Sequence, residues 1–432
     1  MPPAAHDVLA RGEVLWRQLL DGVLIRVPAR DDVAKLEGTG SALWAAVVEP
    51  ITYADLCRGS RPRSPSVSTW SRPICRRDRR ARGQRCADQH PGVVMHDTDA
   101  WLMSVAGYGI GPRRIIDAPP GGVGNVLAGV ARHKLIGPLA AAVAAGDLAV
   151  GEADRAEIAR RHEDAMREVL LLEETLLDAI AVLDRHGIDH RLLKGAALAH
   201  LVHPDPAERS FGDNDLLIAP AEIDRAVSAL LEAGARRLSP PLSADYDRRF
   251  AKSVTLGWHH GTELDLHRTL AAGPYGFLVD LAELHAAPAD LDLAGRTLRT
   301  LPSSGHLIHG ALHVALGDVV PRFGNLRDVA LLAARPDIDP RRLVDTATRW
   351  GCAAPTALGL RAAARLGLPH TAVTEWAEAF RPSRRDQRRL EVYTSRDRRF
   401  RRQSLAVLRE MSWVDRPAFL RALLTPRPPR TG

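Results

Sequence analysis

A chain of 432 residues with 45% hydrophobic and 26% charged side chains has the balance of a folded globular protein with room for two or three domains, which excludes a fibrous or wholly disordered chain. Its formal net charge of +7 favours encounter with anions such as nucleotides or nucleic acid, although much of the excess sits in arginine-dense stretches. The four cysteines (Cys57, Cys75, Cys86 and Cys352) form no CxxC pair, which argues against a zinc ribbon or a disulfide framework. With no signal peptide after Met1 and no apolar run of membrane-spanning length, the expectation is a cytoplasmic protein with free thiols.

Residues 13–57 open with alternating apolar positions (Val23, Ile25, Val27). A Gly38-Thr39-Gly40 turn follows, placed to cap a helix carrying Leu43, Trp44 and Val47. Residues 58–92 have neither a helical nor a strand period and carry ten arginines. A basic nucleic-acid-binding arm is one reading, and a disordered linker is the weightier one. The abrupt loss of pattern is also what a translated frame error produces.

From residue 122 apolar residues recur at three-and-four spacing, predicting helices over 123–145 and 153–183, the second stopped at Arg185-His186-Gly187. A short strand over 188–193, a helix over 196–202 and a buried strand over 215–218 follow. Pro220 then opens an amphipathic helix with Ile223, Ala226, Val227, Leu230 and Leu231 on one face. Residues 254–258 and 262–267 read as a hairpin about His259-His260-Gly261, and helices dominate after Gly305.

The chemistry concentrates in Leu193-Lys194-Gly195-Ala196, in Arg209-Ser-Phe-Gly212-Asp213-Asn214-Asp215, and in Glu263-Leu-Asp265-Leu-His267. Strand residues two apart point the same way, so Asp213 and Asp215 are expected to face one point, as are Glu263, Asp265 and His267. Clustered carboxylates repel unless a cation compensates them. Two magnesium ions would do so and would suit in-line displacement at phosphorus. Against this stands a plain Asx turn before a strand. The upstream Lys194-Gly195 turn shifts the balance, because glycine lets backbone approach a phosphate and the following helix offers free N–H groups.

Arg209 is placed to reach a phosphate. His309 and His313 stand four apart on a helix but lack an HExxH motif or a third ligand, so packing is the better reading. Gly121-Gly122-Val123-Gly124 follows Pro119-Pro120 rather than a strand and is no phosphate loop. Trp258-His259-His260 is a candidate acceptor contact, and Ser253 and Ser304 have no signalled His/Asp partner.

On these residues, with Ala131-Arg132-His133-Lys134, His309-Gly-Ala-Leu-His313, Asn325-Leu-Arg-Asp328 and Leu420-Arg-Ala-Leu-Leu-Thr-Pro426, residues from about 125 to 426 resemble the uncharacterised bacterial nucleotidyltransferase family of the DNA polymerase beta superfamily. The resemblance implies that Asp213 and Asp215 bind metal, that Asp265 is the third carboxylate, and that Lys194, Gly195, Ala196, Arg209 and Gly212 hold the nucleotide. Glu263 and His267 would lend support. Two Mg2+ ions and an NTP such as ATP are then expected, with an acceptor the sequence does not name. Ala196 stands where the superfamily usually carries Ser or Gly. The 13–57 unit resembles the peptide-chaperone domain of pyrroloquinoline-quinone biosynthesis, which implies a winged-helix-like fold and a leader peptide as partner. It breaks off at Cys57, where that family's last helix continues.

The expected architecture is α+β. It has the N-terminal unit (13–57), an Arg-rich and largely disordered linker (58–121), a helical lead-in (122–187) and a small mixed-sheet nucleotidyltransferase core (188–300). A C-terminal helical cap (301–426) and a tail (427–432) complete it. The expected function is metal-dependent nucleotide transfer. Its alternative is an inactive transferase-like protein that binds peptide or nucleotide in modified-peptide biosynthesis. Neither a membrane nor nucleic acid is the expected partner.

Overall fold

The computed structural model describes residues 8–9, 14–27, 32–38, 41, 44, 51–52, 97–240, 245–317, 320–394 and 400–424. The Thr39-Gly40 part of the proposed capping turn, Cys57 and the arginine-rich 58–92 segment lie outside them.

The N-terminal strands are β1 (Val8–Leu9), β2 (Leu15–Gln18), β3 (Gly22–Arg26), β4 (Val33–Glu37) and β5 (Ile51–Thr52). β1 pairs with β5, while β2, β3 and β4 form an antiparallel meander. This meander is the described part of the expected winged-helix-like unit. Its residues Arg17, Arg26 and Lys35 reach Glu173, Glu174 and Glu163 on one long helix of the lead-in.

The expected linker ends earlier than residue 121. Residues 97–106 form helix α1 (Asp97–Ala106), which buries Trp101, Leu102, Met103, Val105 and Ala106, and Ile110 and Ile116 are buried after it. The predicted 123–145 helix is two: α2 (Val123–His133) and α3 (Ile136–Ala144). Lys134 takes a left-handed φ of 60° between them, ending α2 and turning the chain. α4 (Glu152–Arg185) then runs unbroken for 34 residues.

The central region contains β6 (His190–Leu193), α5 (Lys194–Leu201), β7 (Asn214–Ile218), α6 (Ile223–Glu232), β8 (Arg236–Arg237), α7 (Tyr246–Arg249), β9 (Ser253–Gly257), β10 (Glu263–His267), α8 (Leu281–Ala286), β11 (Ala289–Leu293) and β12 (Arg296–Thr300). Its seven strands make one mixed sheet in the order β11-β12-β6-β7-β10-β9-β8. β7 and β10 are parallel, whereas β6 with β7 and β9 with β10 are antiparallel. The β11–β12 hairpin went unread in the sequence. It turns at Ala294 and Gly295, both with positive φ, and buries Leu291, Leu293 and Leu298.

Alternation along β7 and β10 sorts the two sheet faces. Leu216, Ile218, Leu264 and Leu266 pack with Leu172, Leu176 and Leu183 of α4. Leu217 joins the other core with Leu307, Ile308 and Leu312. Those last three lie on α9 (Ser303–Leu316), the first helix of a cap completed by α10 (Phe323–Ala333), α11 (Pro340–Arg349), α12 (Ala353–Ala364), α13 (Ala372–Ala379), α14 (Arg384–Thr394), α15 (Phe400–Glu410) and α16 (Arg416–Leu424). No described helix is long and apolar enough to cross a membrane.

Candidate active site

The site lies on the sheet face opposite α4. At the end of β6, Lys194 takes a left-handed φ of 39°, and the regular helical turns begin only after Gly195. A Cβ on Gly195 would come 3.4 Å from the Phe211 ring and 3.5 Å from the Asp213 carbonyl, so the turn is closely packed against the 211–213 segment. Ala196 is 1% exposed; its methyl packs in the core and offers no hydroxyl.

Parallel pairing sets Asp265 directly beside Asp215. Asp215 is 3% exposed, and its Oδ1 lies 2.5 Å from Nε2 of His267 and 3.5 Å from Nζ of Lys194. The Thr255 hydroxyl, across from Asp265 on β9, donates to Asp265 Oδ1. Among the described residues, Asp215, Asp265 and His267 form a group whose potential ligand atoms all lie within 4.8 Å of one another, a donor set that fits a divalent ion. Asp213 is not one of the three. It precedes β7 in a bend and is exposed, so the strand rule alone does not carry its alignment, yet the charges of Asp215 and Asp265 both act on its carboxyl. Glu263 and Gly212 are also exposed and outside that set.

The charges around these groups explain their proton affinities. Burial raises the Asp213 carboxyl although the residue keeps solvent access, and the Asp215 charge adds to this. Burial would raise Asp215 too. Lys194, then the charge and hydrogen bond of His267, outweigh it and hold that carboxyl well below the usual range. Burial lowers the His267 imidazole against the pull of Asp215. It also lowers the Lys252 ammonium, assisted by the like charge of Lys194. His309 and His313, on the α9 side, are pushed far down by burial and then by Lys194.

Arg209 does not point a free guanidinium at the site. Its Nε and Nη2 donate to the two oxygens of Asp328 on α10 at 2.9 and 2.8 Å, and its Nη1 donates to the Gly195 carbonyl at 2.8 Å. His203 Nε2 meets the same Asp328 at 2.9 Å. Next to it, Arg327 contacts Glu208 and the carbonyls of Ala106 and Tyr108. Arg209 thus fastens the Lys194-Gly195 turn to the cap, one step back from the chemistry.

A sequence profile described as an uncharacterised nucleotidyltransferase matches residues 120–367. The chain belongs to this family. No curated protein matches the chain. Among solved structures, it is similar to an antigenic nucleotidyltransferase-like protein from Paracoccidioides brasiliensis, at 17% identity and a TM-score of 0.26, over 46% of this chain and 94% of that one.

The candidate site residues between Lys194 and Asp328 fall within the matched segment. Sequence reasoning missed three of its members: Lys252, Thr255 and Asp328's clasp on Arg209. A signal existed for Lys252. The chain has only four lysines (Lys35, Lys134, Lys194 and Lys252) against 55 arginines. Three of the four act electrostatically on Asp213 or Asp215. Lysine presents a compact charge, and in a chain so rich in arginine its rarity is the signal that points to these positions. The Trp258-His259-His260 tip sits instead beside α4, with His260 Nε2 3.3 Å from Glu174.

Proposed function

We propose that this nucleotidyltransferase moves a nucleoside monophosphate from an NTP, ATP being the first candidate, to an acceptor oxygen. The carrying observation is Asp265 held in register beside a buried Asp215 that also meets Lys194 and His267. The acceptor oxygen forms a bond to the α-phosphorus, the bond from that phosphorus to the bridging oxygen breaks, pyrophosphate leaves, and the acceptor's proton passes to solvent. Lys194 and Lys252 offset the triphosphate charge, and the Gly195 turn carries Lys194 into place. A divalent cation held by Asp215 and Asp265 supplies charge neutralisation at the reacting phosphate. Three convergent donors suit one ion; the second Mg2+ of the superfamily scheme needs Asp213 to complete its site. Membership of the DNA polymerase beta superfamily is part of this reading, as is a cytoplasmic location.

Ala196, without a hydroxyl for phosphate, supports a second reading: a nucleotide- or peptide-binding module without turnover, its N-terminal unit taking a leader peptide. One experiment separates the two. The full chain is incubated with each α-labelled NTP, Mg2+ or Mn2+ and a cell extract, and label transfer is followed beside calorimetric NTP affinity. Transfer that disappears in Asp215→Ala supports the enzyme. Metal-dependent affinity without transfer supports the binding module, and transfer undiminished in Asp215→Ala refutes the mechanism.

A further inference from the structure

We infer that His267 is itself a metal ligand through Nε2, and that the site is consequently built for a first-row transition-metal ion in preference to Mg2+. This rests on the metal-site reading above. The His267 ring is fully buried, and each nitrogen faces an acceptor: Nε2 meets Asp215 Oδ1 at 2.5 Å and Nδ1 meets the Thr269 carbonyl at 3.3 Å. An imidazolium satisfies both acceptors, and so does a ring that donates Nδ1–H and turns its Nε2 lone pair to a cation held together with Asp215. The nearby Asp265 oxygen, within reach of the same point, favours the cation. Nδ1–H then donates to the Thr269 carbonyl, the backbone contact that commonly orients a ligating histidine, while Nε2 and Asp215 share the ion.

Two further features agree. Asp265 completes a set of two carboxylates and one imidazole within 4.8 Å. Mg2+ is a hard ion that selects oxygen, whereas Zn2+ and Fe2+ favour imidazole, and Mn2+, though oxygen-preferring, admits an imidazole nitrogen better than Mg2+ does. Beside this set, the buried His309 ring stands edge-on to His267 with centroids 6.3 Å apart, and neither of its nitrogens has a hydrogen-bond partner. Such an orphaned polar group is the kind that a water carried by an ion satisfies.

The test uses the full chain and Mn2+ as probe. Free Mn2+ is counted by electron paramagnetic resonance, bound Mn2+ is examined for nitrogen coupling by pulsed methods, and Mg2+ is titrated as competitor. The expected result is a bound Mn2+ with one directly coordinated imidazole nitrogen, displaced only by Mg2+ in excess of at least about tenfold. His267→Asn should lose the nitrogen coupling and narrow the preference for Mn2+. If that variant does not fold, the coupling in the unaltered protein decides alone. Bound Mn2+ without nitrogen coupling, or displacement by Mg2+ at equal concentration, overturns the inference and leaves the proposed function standing. If neither ion binds, both the inference and the metal-dependent reading it rests on are overturned.

Discussion

The Arg209–Asp328 clasp is where a single change should tell most about how the site is held. The two side chains are 12% and 9% exposed and share two charge-assisted hydrogen bonds. Asp328→Ala leaves Arg209 with only the Gly195 carbonyl and removes the partner of His203. Breaking a buried ion pair costs about 3–5 kcal/mol, and the residual access of Arg209 puts this one near about 3 kcal/mol. Arg209→Ala should cost a similar amount. The double variant should lose far less than the sum, giving a coupling energy of about 2 kcal/mol or more. Urea unfolding of the four proteins, with unchanged dependence on denaturant, measures it. A coupling below about 0.5 kcal/mol would refute the clasp. The pH dependence has a definite sign. Arg209 and His203 hold the Asp328 carboxyl well below its ordinary value against the effect of burial. Its contribution is therefore fully present above the unfolded value of about 3.9 and is lost as the pH falls through the lower folded value.

Two other changes test the packing around this frame. Arg17→Ala strands Glu173, fully buried with only His200 left to it at 3.0 Å, and should destabilise the protein by about 3–5 kcal/mol. Thermal unfolding and limited proteolysis check this, and adding Glu173→Ala should recover part of the loss. Gly359→Ala would place a Cβ 2.5 Å from the Ala311 carbonyl oxygen where α12 crosses α9. Overpacking of this kind costs about 1–3 kcal/mol, so an unchanged melting temperature would show that the two helices are free to separate.

The two strands of the candidate site were legible, β10 by its alternation and β7 as a short buried apolar run, and together they set Asp215, Asp265 and His267 on the face away from α4. What the sequence left open was tertiary. Parallel pairing of β7 with β10 joins segments about fifty residues apart, and it brings His267 Nε2 to 2.5 Å from Asp215 Oδ1. Arg209 was expected at a phosphate or acceptor anion, a reading tipped by the family resemblance against that of a surface arginine; its actual partner lies 119 residues on. Residues 97–106 were absorbed into the linker because an arginine-rich, patternless stretch precedes them. Yet Trp101, Leu102 and Met103 bury three large side chains in a row, which a period-based reading scores poorly. The break at Lys134 was invisible for a related reason, since a non-glycine residue rarely takes a left-handed φ.

The length of chain between Arg209 and Asp328 also sets a timetable. A ribosome adding about 5–20 residues per second needs roughly 6 to 24 s to travel from one to the other. Throughout that interval the lysine-bearing turn has been made but its fastening has not. The growing chain therefore acquires its carboxylates early and a rigid phosphate turn late. A nascent or prematurely released protein would hold the acidic half of the site with nothing to fix the basic half against it.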